Sequence, residues 1–307
     1  MKALLFPGQG SQIVGMGLEF YKNYKEVKDV FAEADETLNF KISKIILEGP
    51  ESDLKLTENT QPSILIVSYA IYKIMMEKFD FKFNQFKYFA GHSLGEYSAL
   101  LCSEALSFKD ALYLLRERGK AMQQAVPIGK GAMLAVLNTK IEEIEKYISQ
   151  IEKKGVCEIA NDNSDGQIIV SGNSDLISDL QNILKINKKK SILLPVSAPF
   201  HCSLMKEASE KMKTKIDSVN FKKPKLEIIS NVTASPETDK EKIKKLLVEQ
   251  IYTKVRWRES ILFMISNGIN EFIEIGPGKV LSGLVRRINK DCKSTSVNSI
   301  ENIKEIK

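Results

Sequence analysis

The sequence predicts an α/β protein: a mostly parallel sheet covered by helices, with a β-α-β-β-α-β unit set into it. Two observations lead there. Short apolar strands alternate with helical patterns in both flanks of the chain, and the middle third keeps a rhythm of its own between two points of proline punctuation.

In the flanks, "KALLF", "KYFAG", "KLEIISN" and "EFIEIG" are short apolar strands, each running toward a turn residue, with helical patterns between or after them. An active site in such a sheet lies at the carboxyl ends of the strands. The middle third opens with "GAMLAVLN" as a strand and "TKIEEIEKYISQIEKKG" as an amphipathic helix, with Ile141, Ile144, Ile148 and Ile151 on one face. Thr139 and Glu142 have the spacing of a capping box. The strands "VCEIA" and "QIIVSG" follow, joined by a loop containing Asp165-Gly166, a pair that tolerates positive φ. The helix "SDLISDLQNILKI" and the strand "SILLPV" complete the order of a ferredoxin-like split βαβ unit. This unit is expected at residues 129–196, inserted into a discontinuous large domain of residues 1–128 and 197–307.

A chain of 307 residues, 43% hydrophobic, can bury a full core in one large domain or two smaller ones. The opening "MKALLFPGQGSQ" has too short an apolar run for a secretory signal and too little arginine for a transit peptide, and no stretch approaches a membrane span, so a soluble, cytoplasmic protein is expected. Cys102, Cys157, Cys202 and Cys292 lie far apart with no C-x-x-C pair and read as reduced thiols. With His92 and His201 the only histidines, a histidine-rich metal site is excluded and few residues can act as a neutral-pH base. The net charge of +6 is spread over lysine-rich segments such as "INKKKS" and "FKKPK" with no nucleic-acid motif, which describes a solvated surface with a mild attraction for acidic partners.

The stretch "KYFAGHSLGEYSALL" places Ser93 in a G-x-S-x-G pattern between a strand and a helix, the context of a nucleophile elbow. The Leu94 N–H would then face a developing oxyanion at the new helix's N-terminus. A glycine-flanked serine is also an ordinary helix cap, and the pentapeptide alone does not separate the two. A serine nucleophile needs a base. His92 adjoins Ser93 but in an elbow would project away from it, which leaves His201, read as lying at the start of a helix whose dipole keeps the ring neutral. In "FKDALYLLRERGKAMQQAV", Arg118 interrupts a stripe formed with Ala111, Leu115 and Met122, so it faces inward toward an anion, either a protein carboxylate or a substrate's. Gly8-Gln9-Gly10 follows the first strand, but Ile13 stands where a G-x-G-x-x-G loop needs glycine; a turn aiming Gln9 at a ligand and a plain strand-to-helix loop both remain.

Together, "LFPGQGSQIVGMG", "GHSLGEYSAL", "RGKAMQQAVP", "NDNSDGQIIVSG", "VSAPFHCSLM", "YTKVRW" and "EIGPGKVLSGLVRRI" resemble the malonyl-CoA:acyl carrier protein transacylase family over about residues 3–290. The resemblance implies a hydrolase-like α/β core with an inserted ferredoxin-like subdomain, and transfer of a malonyl group from malonyl-CoA to the phosphopantetheine thiol of acyl carrier protein in a ping-pong reaction. It makes Ser93 the nucleophile, His201 the base, the Gln9 and Leu94 N–H groups the oxyanion hole and Arg118 the clamp for the malonyl carboxylate. Gln250 matches the position whose backbone carbonyl orients the histidine, and Met122 and Phe200 are expected in the substrate pocket. No cofactor, nucleic acid or membrane is implied, and a monomer is expected. The tail "KSTSVNSIENIKEIK" lies beyond the clearest match and is expected to be partly ordered or frayed. Three rivals stand beside this reading: a serine esterase or thioesterase, a carrier-protein-binding scaffold without chemistry, and a discrete acyltransferase serving a polyketide synthase.

Overall fold

The computed structural model describes residues 1–152, 154–196 and 198–306. Its first part runs β1 (Lys2–Phe6), α1 (Leu18–Asn23), α2 (Lys25–Leu38), α3 (Ile42–Glu48), α4 (Glu51–Leu54), α5 (Thr57–Lys78), β2 (Phe86–Gly91), α6 (Gly95–Cys102) and α7 (Phe108–Gln124). The middle part is β3 (Gly131–Leu137), α8 (Ile141–Ile148), β4 (Cys157–Ser164), β5 (Gln167–Asn173), α9 (Ser174–Ile186) and β6 (Lys190–Leu193). The last part is α10 (Lys206–Ser218), β7 (Glu227–Ile229), β8 (Pro236–Glu237), α11 (Lys240–Gln250), α12 (Trp257–Ser266), β9 (Glu271–Ile275), α13 (Val280–Ile288), β10 (Lys293–Val297) and α14 (Ile300–Glu305).

The larger sheet has the order β10-β9-β1-β2-β7-β8, and every pairing except β7 with β8 is parallel. Its central strands are apolar on both faces because helices cover both: Leu4 and Phe6 point into one core and Ala3 and Leu5 into another. The smaller sheet, β4-β5-β3-β6, is antiparallel, and its order is that of a ferredoxin-like unit. The α/β class and both sheet types expected from the sequence are therefore present. The boundary expected at Ser197 lies outside the described residues. No helix among the described residues is long and apolar enough to cross a membrane.

Four local expectations are corrected. Among the described residues the tail is ordered rather than frayed: Lys293–Val297 extends the sheet beside β9, and Val297 and Ile303 are buried. The capping box does not form, because Thr139 is buried with its hydroxyl donating to the Leu137 carbonyl at 3.2 Å, and α8 starts uncapped after Lys140. That helix also ends at Ile148, with Ile151 packing from the turn beyond it. Strand β4, expected to stop at Ala160, continues through Asn161, Asp162 and Asn163 to Ser164. Its polar half is buried because it has a second backbone partner: Asp162 N–H donates to the Val255 carbonyl (3.0 Å) and Val255 N–H to the Ala160 carbonyl (2.8 Å). Asp162 is then paired by Arg258, whose Nε lies 3.0 Å from Oδ1 and Nη2 2.9 Å from Oδ2.

Candidate active site

The loops after β1, β2 and β7 leave adjacent strands at the same carboxyl edge, and Ser93 stands on the middle one. Its φ of 53° is the left-handed conformation of a sharp elbow. The flanking glycines are there for space. A Cβ on Gly91 would come within 1.9 Å of the Gly95 carbonyl, and one on Gly95 within 2.2 Å of the Phe6 carbonyl. The turn is held from behind by Asn231, whose Oδ1 accepts from Ser93 N–H (2.7 Å) and whose Nδ2 donates to the Gly91 carbonyl (2.7 Å). Ser93 is thus committed to the elbow rather than to capping a helix; α6 begins after Leu94 without a side-chain cap.

His201 meets it. Its Nε2 is 2.8 Å from Ser93 Oγ, and its Nδ1 is 2.9 Å from the Gln250 carbonyl. Gln250 is the last residue of α11, so its carbonyl is free of the helical ladder. A ring that donates from Nδ1 to a carbonyl presents an unprotonated Nε2 to the serine. The environment of His201 differs from the expected helix start: its φ is 59°, a short 3-10 turn at Ser203–Met205 follows, and α10 begins only at Lys206. Burial, reinforced by the nearby Arg118 charge, holds the imidazole pKa down at about 3, so the ring is neutral for reasons other than a helix dipole. His92 projects away as expected, with Nε2 2.8 Å from Asn163 Oδ1 and its ring beside Trp257. Cys202 is an inert neighbour whose thiol pKa burial pushes up to about 11.

Arg118 is 1% exposed and reaches the same point from α7. Its Nη2 donates to Ser93 Oγ (3.1 Å) and Gln250 Oε1 (2.9 Å), and its Nη1 to Gln61 Oε1 (2.9 Å). Those partners are neutral; among the described residues no carboxylate forms an ion pair with it, and its Nε is buried without a partner. Of the two readings of an inward arginine, the internal salt bridge is therefore not the one formed. Met122, one turn on, is buried and its sulfur accepts from Gln61 Nε2 (3.8 Å), while Phe200 is buried next to His201.

Gln9 lies in the turn after β1. A Cβ on the neighbouring Gly8 would come within 2.6 Å of the His92 carbonyl, which sets this turn directly against the elbow. Among the described residues neither the Gln9 nor the Leu94 N–H donates to a protein acceptor.

Three further residues reach this site that were not expected from the sequence: Gln61, Glu96 and Asn231. Glu96 is 2% exposed; its Oε2 accepts from Gln250 Nε2 (2.7 Å) and Asn231 N–H (3.1 Å), and burial raises its pKa to about 7. An acid in the first turn of an otherwise apolar helix, "GEYSALLC", was the available signal. Gln61 and Asn231 carried no comparable mark.

Comparison with known proteins adds three findings. A family model described as "Acyl transferase domain" matches residues 3–304. Two curated relatives, each called malonyl CoA-acyl carrier protein transacylase, come from Bacillus subtilis strain 168 (46% identical, covering 98% of this chain and 94% of the relative) and Staphylococcus aureus strain MRSA252 (42% identical, covering 98% and 97%). Among solved structures, the acyl-carrier-protein-S-malonyltransferase from Bartonella henselae superposes with a TM-score of 0.97 at 43% identity, covering 99% and 98% of the two chains. A malonyl-transacylase in complex with its type II polyketide acyl-carrier protein superposes with a TM-score of 0.95 at 36% identity, covering 99% and 97%.

Proposed function

Since the chain belongs to the acyl transferase family, we propose that it transfers a malonyl group from malonyl-CoA to the phosphopantetheine thiol of acyl carrier protein through a malonyl ester of Ser93. The observation that carries the malonyl part of this reading is Arg118: a buried guanidinium, within hydrogen-bond distance of the serine oxygen, with no protein carboxylate paired to it among the described residues. A carboxylate on the acyl group supplies the direct ion-pair partner that Arg118 lacks, and its buried, charge-assisted bonds orient the thioester beside Ser93.

In the first half-reaction Ser93 Oγ attacks the thioester carbonyl while His201 Nε2 accepts its proton. Gln250 keeps the ring in the required tautomer through Nδ1 and stabilises the imidazolium that forms. Charge building on the carbonyl oxygen is met by the free N–H groups of Gln9 and Leu94. His201 returns the proton to the departing CoA sulfur. In the second half the carrier thiol gives its proton to His201 and attacks the ester, and Ser93 recovers a proton as it leaves. Met122 and Phe200 line the acyl pocket, and residues 129–196 form an inserted subdomain that carries the His201 loop. Lys-rich surface favours the acidic carrier protein, and the same chemistry serves a fatty-acid or a polyketide carrier.

The test is the fate of the acyl group when malonyl-CoA and holo acyl carrier protein are mixed with the enzyme and both products are followed by mass spectrometry. Stoichiometric malonyl-carrier with parallel-line initial-rate kinetics is expected. Release of free malonate with no loaded carrier would establish the thioesterase rival instead.

A further inference from the structure

Glu96 takes no part in these steps, yet it anchors the groups that do. Gln250 Nε2 donates to Glu96 Oε2 at 2.7 Å while Gln250 Oε1 accepts from Arg118 Nη2 at 2.9 Å, so one amide bridges a buried carboxylate and a buried guanidinium. The same Oε2 accepts from the N–H of Asn231, the residue that holds the Ser93 elbow. A guanidinium buried without any counter-charge is costly. Behind Gln250, Glu96 is placed to provide that charge while the clamp is empty.

A malonyl carboxylate changes this balance. It would bond Arg118 directly, whereas Glu96 reaches it only through an amide, and two buried carboxylates served by one cation do not both stay ionised easily. We propose that Glu96 is a positioning residue that carries the resting counter-charge of Arg118 and yields that role to the malonyl carboxylate by taking up a proton from solvent when Ser93 is malonylated. This rests on the malonyl-transfer reading. The charged groups acting on Glu96 are Arg118 of α7, which favours the carboxylate, and Glu237 of β8, which disfavours it. Burial is the largest influence, and a pKa raised to about 7 leaves the group able to change state near neutrality. Acyl transfer itself turns a thioester and an alcohol into an ester and a thiol and so neither consumes nor releases a proton.

The experiment mixes the enzyme with malonyl-CoA in weak buffer containing a pH indicator, with intact mass reporting malonyl-Ser93 in parallel. Uptake of roughly half a proton or more per malonyl-serine is expected at pH 7.5, and little at pH 5.5, where resting Glu96 is already protonated. The Glu96→Gln variant, which keeps an acceptor but cannot titrate, should lose the pH 7.5 uptake. Malonyl-serine formed without proton uptake at pH 7.5, or the same uptake in Glu96→Gln, would overturn this inference alone. No malonyl-serine in the unmodified enzyme would overturn the functional reading together with it.

Discussion

Ser93 is held in a left-handed backbone conformation that costs an L-residue about 1–2 kcal/mol, and the bonds from Asn231 to both Ser93 and Gly91 offset that strain. The hydroxyl is thereby fixed between His201 and Arg118, which have different duties. In the proposed reaction His201 serves any acyl group, and Arg118 distinguishes those that carry a carboxylate. Replacing Arg118 by Ala should lower kcat/KM for malonyl-CoA by roughly 100-fold or more relative to any activity on acetyl-CoA, the order expected from losing charge-assisted buried bonds of about 3 kcal/mol. Steady-state kinetics with both donors checks this, and an unchanged donor preference would remove Arg118 from substrate recognition. At this scale Ser93, His201 and Arg118 were legible because each is unusual in the sequence: a serine between glycines, one of two histidines, a cation in an apolar stripe. Gln61 and Asn231 were not, since their importance arises from contacts between segments 57 and 138 residues apart, and Glu96, though marked as an acid in an apolar helix, shows its meaning only through a partner 154 residues away.

Two helix placements make those contacts possible. Gly119 follows Arg118 on α7, and a Cβ there would lie 2.5 Å from Glu58 Cα, so its absence lets α7 cross the start of α5 closely enough for Arg118 to reach Gln61. Pro62, inside α5, lacks the N–H that would bond the Glu58 carbonyl, and Arg116 Nη1 donates to that carbonyl instead at 3.1 Å. The elbow is equally dependent on missing atoms. Gly91→Ala should destabilise the protein by about 3 kcal/mol or more, because the added methyl meets backbone that cannot rotate away. Gly283→Ala, in α13 with nothing within 4 Å of the added atom, should instead stabilise by about 0.5–1 kcal/mol. Thermal unfolding of the two variants measures the contrast, and similar Tm values would mean that the elbow is not space-limited. Apolar strands such as β1 and β9 were readable from sequence, whereas the second half of β4 was hidden by its polar residues. Their burial depends on Val255 and Arg258, nearly a hundred residues away, a pairing that periodicity does not reveal.

Across the whole molecule, the larger sheet carries Ser93, the proposed nucleophile, and the smaller one steadies the loop of His201, the proposed base. The loop carrying His201 is pinned to the smaller sheet at two places: Pro199 packs where a Cβ on Gly131 would stand, at 2.3 Å, and Ser203 bonds Glu158 of β4 through both N–H (2.8 Å) and Oγ (2.6 Å). The smaller sheet is in turn tied to the larger part by the Val255 bridge and the Asp162–Arg258 pair. The split βαβ order was plain in the sequence, but its use as a support for His201 appears only in the assembled structure. On the proposed reading, this assembly makes Ser93 a malonyl-accepting nucleophile. That role is tested most directly by the intact mass of the protein after brief mixing with malonyl-CoA, with peptide mapping and Ser93→Ala as control. One malonyl group on Ser93, absent from the variant and discharged by holo acyl carrier protein, is expected; a folded protein that gains no adduct, or an adduct that persists in Ser93→Ala, would overturn that role for Ser93.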